Sequence, residues 1–203
     1  ATTLGTQNGY LYTTSPNVTL NGQANIIDTR RVLVNGSAAT WTAWQGRWTH
    51  TVTLPPGIDR VLVQSLDSNQ VAFASATVEI WYDDSSVQNV SGGIATDTVW
   101  SAANGPYQVT ANLTVNAGVT LSIQPGTTVY LASGVNLTVA NGGTLIATGT
   151  PTAPIRFTRA PGTSANWGGI TVNGGVGSTE TRIAYAHLEA NGSTAIHASG
   201  GTV

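Results

Sequence analysis

Asn112-Leu113-Thr114-Val115-Asn116-Ala117-Gly118-Val119-Thr120-Leu121 is answered twenty-four residues later by Asn136-Leu137-Thr138-Val139-Ala140-Asn141-Gly142-Gly143-Thr144-Leu145. Asn-Leu-Thr-Val heads both copies unchanged, and Gly118 and Thr120-Leu121 keep their places as Gly142 and Thr144-Leu145. Repetition at a period of about 20–50 residues marks a solenoid, because one such unit can bury its apolar side chains only against the next. Alternation along each copy sends Leu137 and Val139 to one side of the chain and Thr138 to the other.

The rest of the second half follows this pattern in short apolar alternations. Leu113/Val115, Leu137/Val139 and Ile170/Val172 form one set, and Leu121/Ile123 with Leu145/Ala147 a second. Val129/Leu131, Ile155/Phe157 and Ile183/Tyr185 read as a third. Three short strands per turn, joined at corners where a positive φ favours Gly or Asn, make a parallel β-helix. The seven residues 160–166 loop off one face as an insertion.

The stretch 108–157 resembles the opening coils of the right-handed parallel β-helix, pectin-lyase-like group. The residues that carry the likeness are Gly118-Val119-Thr120-Leu121, Pro125-Gly126-Thr127, Gly143-Thr144-Leu145-Ile146-Ala147-Thr148-Gly149, Pro154-Ile155-Arg156-Phe157-Thr158 and Trp167-Gly168-Gly169-Ile170. The resemblance implies the fold. It implies little about activity, since this fold carries lyases, hydrolases and adhesins alike.

The first half reads differently. Residues 1–14 form a leading strand or tether in which Tyr10 and Tyr12 pin the segment. From residue 15 short alternating runs end at turn signals: Val18-Thr19-Leu20 at Asn21-Gly22, Arg31-Val32-Leu33-Val34 at the hairpin dipeptide Asn35-Gly36, and Trp48 to Leu54 at Pro55-Pro56-Gly57. Arg60 to Leu66 and Val71 to Tyr82 supply the last strands. Val32 to Gly36, Trp48 to Leu54, Gly57 to Val63 and Asp67 to Asn69 give 15–84 the look of a small bacterial immunoglobulin-like module of the glucodextranase type. That resemblance implies a spacer or binding module. The expected organisation is thus all-β: a strand or tether over 1–14, a sandwich over 15–84, a polar linker over 85–96 and a truncated parallel β-helix over 97–203. The final Ser199-Gly200-Gly201-Thr202-Val203 reads as the start of a further coil of a longer solenoid.

Composition excludes several chemistries. The chain has no Cys, so no disulfide or thiolate site, and no Lys, so no Schiff base or Lys isopeptide crosslink. Seven Arg against nine acidic residues give a near-neutral charge without the basic clustering that nucleic acid demands. No apolar run is long enough to span a membrane. Between Asp97 and Arg156 there is no charged residue, so the β-helix offers only Asp97, Glu180 and Glu189 where glycoside cleavage needs a facing carboxyl pair. His50, His187 and His197 are scattered, although His187 and His197 are close enough in sequence to fall on neighbouring rungs; no third ligand joins them. No catalytic residue, metal site or cofactor is expected.

Two features invite a binding reading. Trp41-Thr42-Ala43-Trp44-Gln45-Gly46-Arg47-Trp48 concentrates indole rings, which stack on the apolar faces of sugars while polar side chains take the hydroxyls. Trp44, beside the Gln45-Gly46 turn, is the expected platform, with Trp41, Gln45 and Arg47 around it; Trp48 reads as core. Trp81-Tyr82 and Trp100 with Tyr107 read as contacts joining the two halves. Thr114, Thr138 and Thr171 read as an outward ladder, a pattern shared with ice-binding faces but here one Thr wide. The expected function is a non-catalytic, secreted or cell-surface bacterial scaffold or adhesin. The alternative is a carbohydrate-binding accessory module of a polysaccharide-degrading enzyme, and ice binding is a third. The partners to expect are a polysaccharide, and another copy or the rest of a parent chain at an open C-terminal coil.

Overall fold

The computed structural model describes residues 4–175, 178–189, 192 and 195–199. The chain divides into two compact all-β units, Ala1–Asp84 and Ser85–Val203. Residues 200–203, read above as the start of another coil, lie outside the described residues.

In the first unit β1 (Gly5–Gln7), β2 (Tyr10–Thr13), β9 (Ala72–Tyr82), β8 (Gly57–Leu66), β4 (Arg31–Val34) and β5 (Ser37–Ala38) make a six-stranded sheet in that order. β3 (Asn17–Gln23), β7 (Arg47–Thr53) and β6 (Thr40–Thr42) make a three-stranded one. Alternation puts Val18, Leu20 and Val52 of the small sheet into one apolar cluster with Val32, Val34, Val61, Val63 and Ile80 of the large one. The leading segment is part of this architecture, since β2 pairs in parallel with the end of β9, Leu11 beside Ile80 and Thr13 beside Tyr82. Asn35-Gly36 turns β4 into β5 with both residues at positive φ, as a two-residue hairpin requires. The Asn35 side chain does a second task, its Oδ1 accepting the Leu62 N–H at 2.8 Å.

The second unit is a stack of coils whose strands fall on three faces. One face holds the start of β10 (Gln88–Ile94), the start of β12 (Tyr107–Val115), β14 (Thr128–Leu131), β17 (Ile155–Thr158) and β20 (Ala186–Leu188). The next holds the ends of β10 and β12, then β15 (Asn136–Val139), β18 (Gly169–Asn173) and β21 (Ile196–Ser199). β12 runs through both, bent at the exposed Thr110-Ala111-Asn112, so these two faces form one curled parallel sheet. β11 (Thr98–Trp100), β13 (Thr120–Ile123), β16 (Thr144–Thr148) and β19 (Arg182–Ala184) make the third.

Register turns the repeat into columns. Leu113, Leu137, Ile170 and Ile196 lie one on another, as do Val115, Val139 and Val172 beside them. Leu121 stacks on Leu145, and Trp100, Ile123, Ala147 and Ile183 follow each other. The first two apolar sets therefore stand as written above, and the third needs correcting. Val129 pairs with Phe157, not Ile155, and Phe157 with Leu188; Ile183 belongs to the third face, over Ala147. The cause is a tight corner at Tyr185, whose φ of 47° ends β19 and starts β20 on a different face, leaving the ring 59 % exposed.

The stretch read as a linker also differs. Residues 88–94 form β10, parallel to β12, with Val90 and Ile94 resting on the apolar core. Backbone ladder bonds hold this strand, so few apolar side chains were needed to write it.

Asn at the head of each repeat has a mechanical part. Asn112 Oδ1 accepts the N–H of Asn136, one coil on, at 2.9 Å, at a corner where the ladder has lapsed. Asn112→Ala is expected to cost about 0.5–1.5 kcal/mol, the net worth of one such bond, in a denaturant melt. Asn112→Asp, which keeps the acceptor, should recover most of it.

Candidate functional site

The outer face of the three-stranded sheet is built by simple alternation. In β7, Trp48, His50 and Val52 turn inward and Arg47, Thr49, Thr51 and Thr53 outward; in β3, Val18 and Leu20 turn inward and Asn17, Thr19, Asn21 and Gln23 outward. Antiparallel pairing then lays Asn21 beside Thr49 and Gln23 beside Arg47, with Thr40 and Thr42 of β6 on the other flank. At one end Thr19 and Thr51 hydroxyls bond each other at 2.9 Å, and Thr53 donates to Asn17 Oδ1 at 2.8 Å. Toward Arg47 the face opens into a cavity of about 540 Å³ lined by Asn21, Gln23, Thr40, Thr42, Gln45, Arg47 and Thr49, with Gly22 and Trp48. Arg47 is its single charged side chain.

This surface has the chemistry of polyol recognition, with amides and hydroxyls that both donate and accept and one fixed cation. The four residues predicted to bind sugar divide. Gln45 and Arg47 line the cavity. Trp44 sits beside them in a 3-10 turn (Ala43–Gln45), outside the lining and 80 % exposed. Trp41 is elsewhere: paired across strands with Trp48, it packs on the apolar core with its Nε1 buried and without a partner. Trp48 also packs there, its indole lying over Gly22, where an added Cβ would stand 2.7 Å from the ring. Gln23, Thr40, Thr42 and Thr49 do not stand out in the sequence, and Asn21-Gly22, read above as a turn, lies within β3. The alternation of β3 and β7 carried the signal, but the pairing register that gathers them did not show in the chain order.

The second unit offers less. Thr114, Thr138 and Thr171 are register partners on adjacent coils, half-buried, and the column runs on to Gly93 at one end and His197 at the other. His187 stands in another column, beyond Thr128 and Arg156, so the two histidines share no face. The carboxylates are apart. Asp97 Oδ1 accepts the Thr120 N–H at 2.8 Å, tying the first coil to the second. Glu189 takes Arg156 Nη1 on both oxygens, at 2.7 and 2.9 Å. Glu180 is exposed. Within the first unit Tyr12 packs on Trp81 at 5.0 Å between ring centres, and within the second Trp100 stacks on Tyr107 at 4.6 Å.

No curated protein and no solved structure matches the chain. The model of a pectate-lyase like beta helix domain matches residues 92–202, more than half of the sequence and nearly all of the coil stack; the chain belongs to that family.

Proposed function

We propose that this chain is a non-catalytic, polysaccharide-directed scaffold of a secreted or cell-surface bacterial protein, with its glycan contact on the first unit. The observation that carries the reading is the amide- and hydroxyl-lined cavity whose single charged side chain is Arg47, with the exposed indole of Trp44 next to Gln45 at its side. A sugar chain laid along β3 and β7 would hydrogen-bond through its hydroxyls with the amides of Asn21 and Gln23 and the hydroxyl of Thr49, and stack a ring on Trp44. The family's association with polysaccharides supports the same ligand class. The first unit is read as an immunoglobulin-like module. Two sheets around one core, with an early strand parallel to the last, support that reading.

The β-helix serves here as a rigid rod. The engaged or isolated carboxylates of its described residues favour this part over catalysis, and the Thr ladder is an element of the wall. A role as accessory module of a degrading enzyme makes the same demand on the cavity and differs only in what lies beside it.

Affinity electrophoresis against a panel of plant, algal and bacterial polysaccharides tests the proposal. At least one glycan should retard the chain, and Trp44→Ala should weaken that binding about tenfold, or about 1.4 kcal/mol. Trp41→Phe should not change it. Equal retention of the Trp44 variant would remove the platform. Release of reducing ends or unsaturated products by the purified chain, abolished by Asp97→Asn or Glu180→Gln, would overturn the non-catalytic reading.

A further inference from the structure

The outer face of the three-stranded sheet carries its polar side chains in rows, set by the pairing of β3, β7 and β6. Gln23, Arg47 and Thr42 are cross-strand partners in one row, and Asn21, Thr49 and Thr40 in the next, two residues along each strand. Neighbours within a row stand about 4.8 Å apart, and the two rows about 6.8 Å. Further along, the face closes on itself, since Thr19 bonds Thr51 and Thr53 bonds Asn17. The first two rows stay open. Thr49 donates to the Leu20 carbonyl at 3.3 Å, whereas Asn21, Gln23, Thr40, Thr42 and Arg47 make no side-chain hydrogen bond or ion pair among the described residues.

Arg47 sits at the middle of its row. Several other arginines are spent on the fold: Arg30 donates to the carbonyls of Ile27 and Thr29, Arg156 to Glu189, and Arg159 to the Ser164 carbonyl and Asn166. Arg47 instead has an amide on one side, a hydroxyl on the other and no carboxylate in the lining of the cavity. A guanidinium holds paired N–H groups in one plane, the fork that fits two oxygens of a single anionic group, and Gln23 and Thr42 each bring a further donor. We infer, resting on the glycan reading above, that this cavity takes an acidic polysaccharide. A carboxylate or sulfate of one sugar lies on Arg47, and the hydroxyls of that sugar lie along Asn21, Thr49 and Thr40. A neutral glycan would leave the one cation of the cavity without a counter-charge. The preference is written in the sheet of the first unit, outside residues 92–202 that the family model matches.

Titration calorimetry of the full chain tests this against alginate, a uronate polymer, and carrageenan, a sulfated galactan, each beside its carboxyl-reduced or desulfated form. At least one acidic polymer should bind about tenfold more tightly than its neutralised form, the worth of one charge-assisted contact at an exposed site. Rising salt should narrow that gap. Whichever polymer shows the gap tells carboxylate from sulfate. Arg47→Gln should bind the acidic and neutralised forms alike, with an unchanged thermal midpoint because Arg47 is exposed. Arg47→Lys, a point charge without the fork, should keep part of the gap. Arg31→Gln removes the same charge from an exposed position on the six-stranded sheet and should bind like the parent. Equal affinity for acidic and neutralised forms, lowered for both by Trp44→Ala, overturns the acidic ligand and leaves the glycan site standing. A gap that survives Arg47→Gln overturns it as well. A chain that binds none of these polymers overturns both readings.

Discussion

Leu137→Ala is expected to lower the unfolding free energy by about 2–5 kcal/mol, while Thr138→Ala, one residue on, changes it by about 0.5 kcal/mol or less. Leu137 is fully buried, with Leu113 beneath it and Ile170 above. Removing its isobutyl group loses the transfer free energy and leaves a void. The void cannot collapse, because coils held about 4.8 Å apart by backbone ladders do not close up over a missing side chain. Thr138 belongs to the same strand and the same ladder, yet its side chain stands outside between Thr114 and Thr171, half-buried. Chain position and local backbone are thus nearly the same for the two. Only the side of the wall differs. Denaturant midpoints measured on both variants check this. If they fall together, the inward and outward assignments are wrong, and with them the stack of columns.

The columns were legible because a twenty-four-residue repeat keeps register by itself: equal spacing places Leu113 under Leu137 and Leu121 under Leu145 without knowledge of any corner. Legibility fails where spacing changes. Ile183/Tyr185 has the apolar alternation of the third set but lies on the far side of a left-handed corner, and no periodicity reports a corner. β10 was missed for a different reason. Only Val90 and Ile94 of that strand rest on the core, and Gly92-Gly93 looks like a linker to any reader of composition. Of the candidate site, the exposed Trp44 followed from its place beside a turn. The cavity did not follow, because Asn21, Thr40 and Thr49 meet only through the pairing of three strands separated by the turn at Ala43–Gln45 and the long connection from β3 to β6. Proximity in sequence misplaces Trp41: on β6 it alternates with the outward Thr40 and Thr42 and so faces the core.

Gly149→Ala should be as damaging as loss of a core leucine, and for the opposite cause. A Cβ built at Gly149 collides with the carbonyl oxygen of Tyr185 and stands 2.9 Å from Ile155 N and 3.0 Å from Pro154 Cα. All three are backbone atoms, and the first belongs to the next coil. That oxygen accepts the Ile155 N–H at 3.0 Å, while the Gly149 N–H donates to Ala184 O at 2.9 Å. The methyl group therefore wedges into the seam that joins successive coils. Overpacking of this kind costs about 1–3 kcal/mol, and parting the Ile155 bond adds about 1–3 kcal/mol if its N–H is left buried and unmet. Gly118 supplies the control. Nothing lies within 4 Å of a Cβ there, but its φ is +74°, so Gly118→Ala pays only for a left-handed backbone, about 1 kcal/mol. Gly118→Asn, which tolerates that conformation better, should recover part of the loss, whereas Gly149→Asn should be no better than Gly149→Ala. Thermal and denaturant melts of the four variants separate the two causes. A Gly149→Ala chain that melts with the parent would mean the coils at Gly149 and Tyr185 are not in contact, and the turn of the solenoid from Thr144 to Leu188 would have to be retraced.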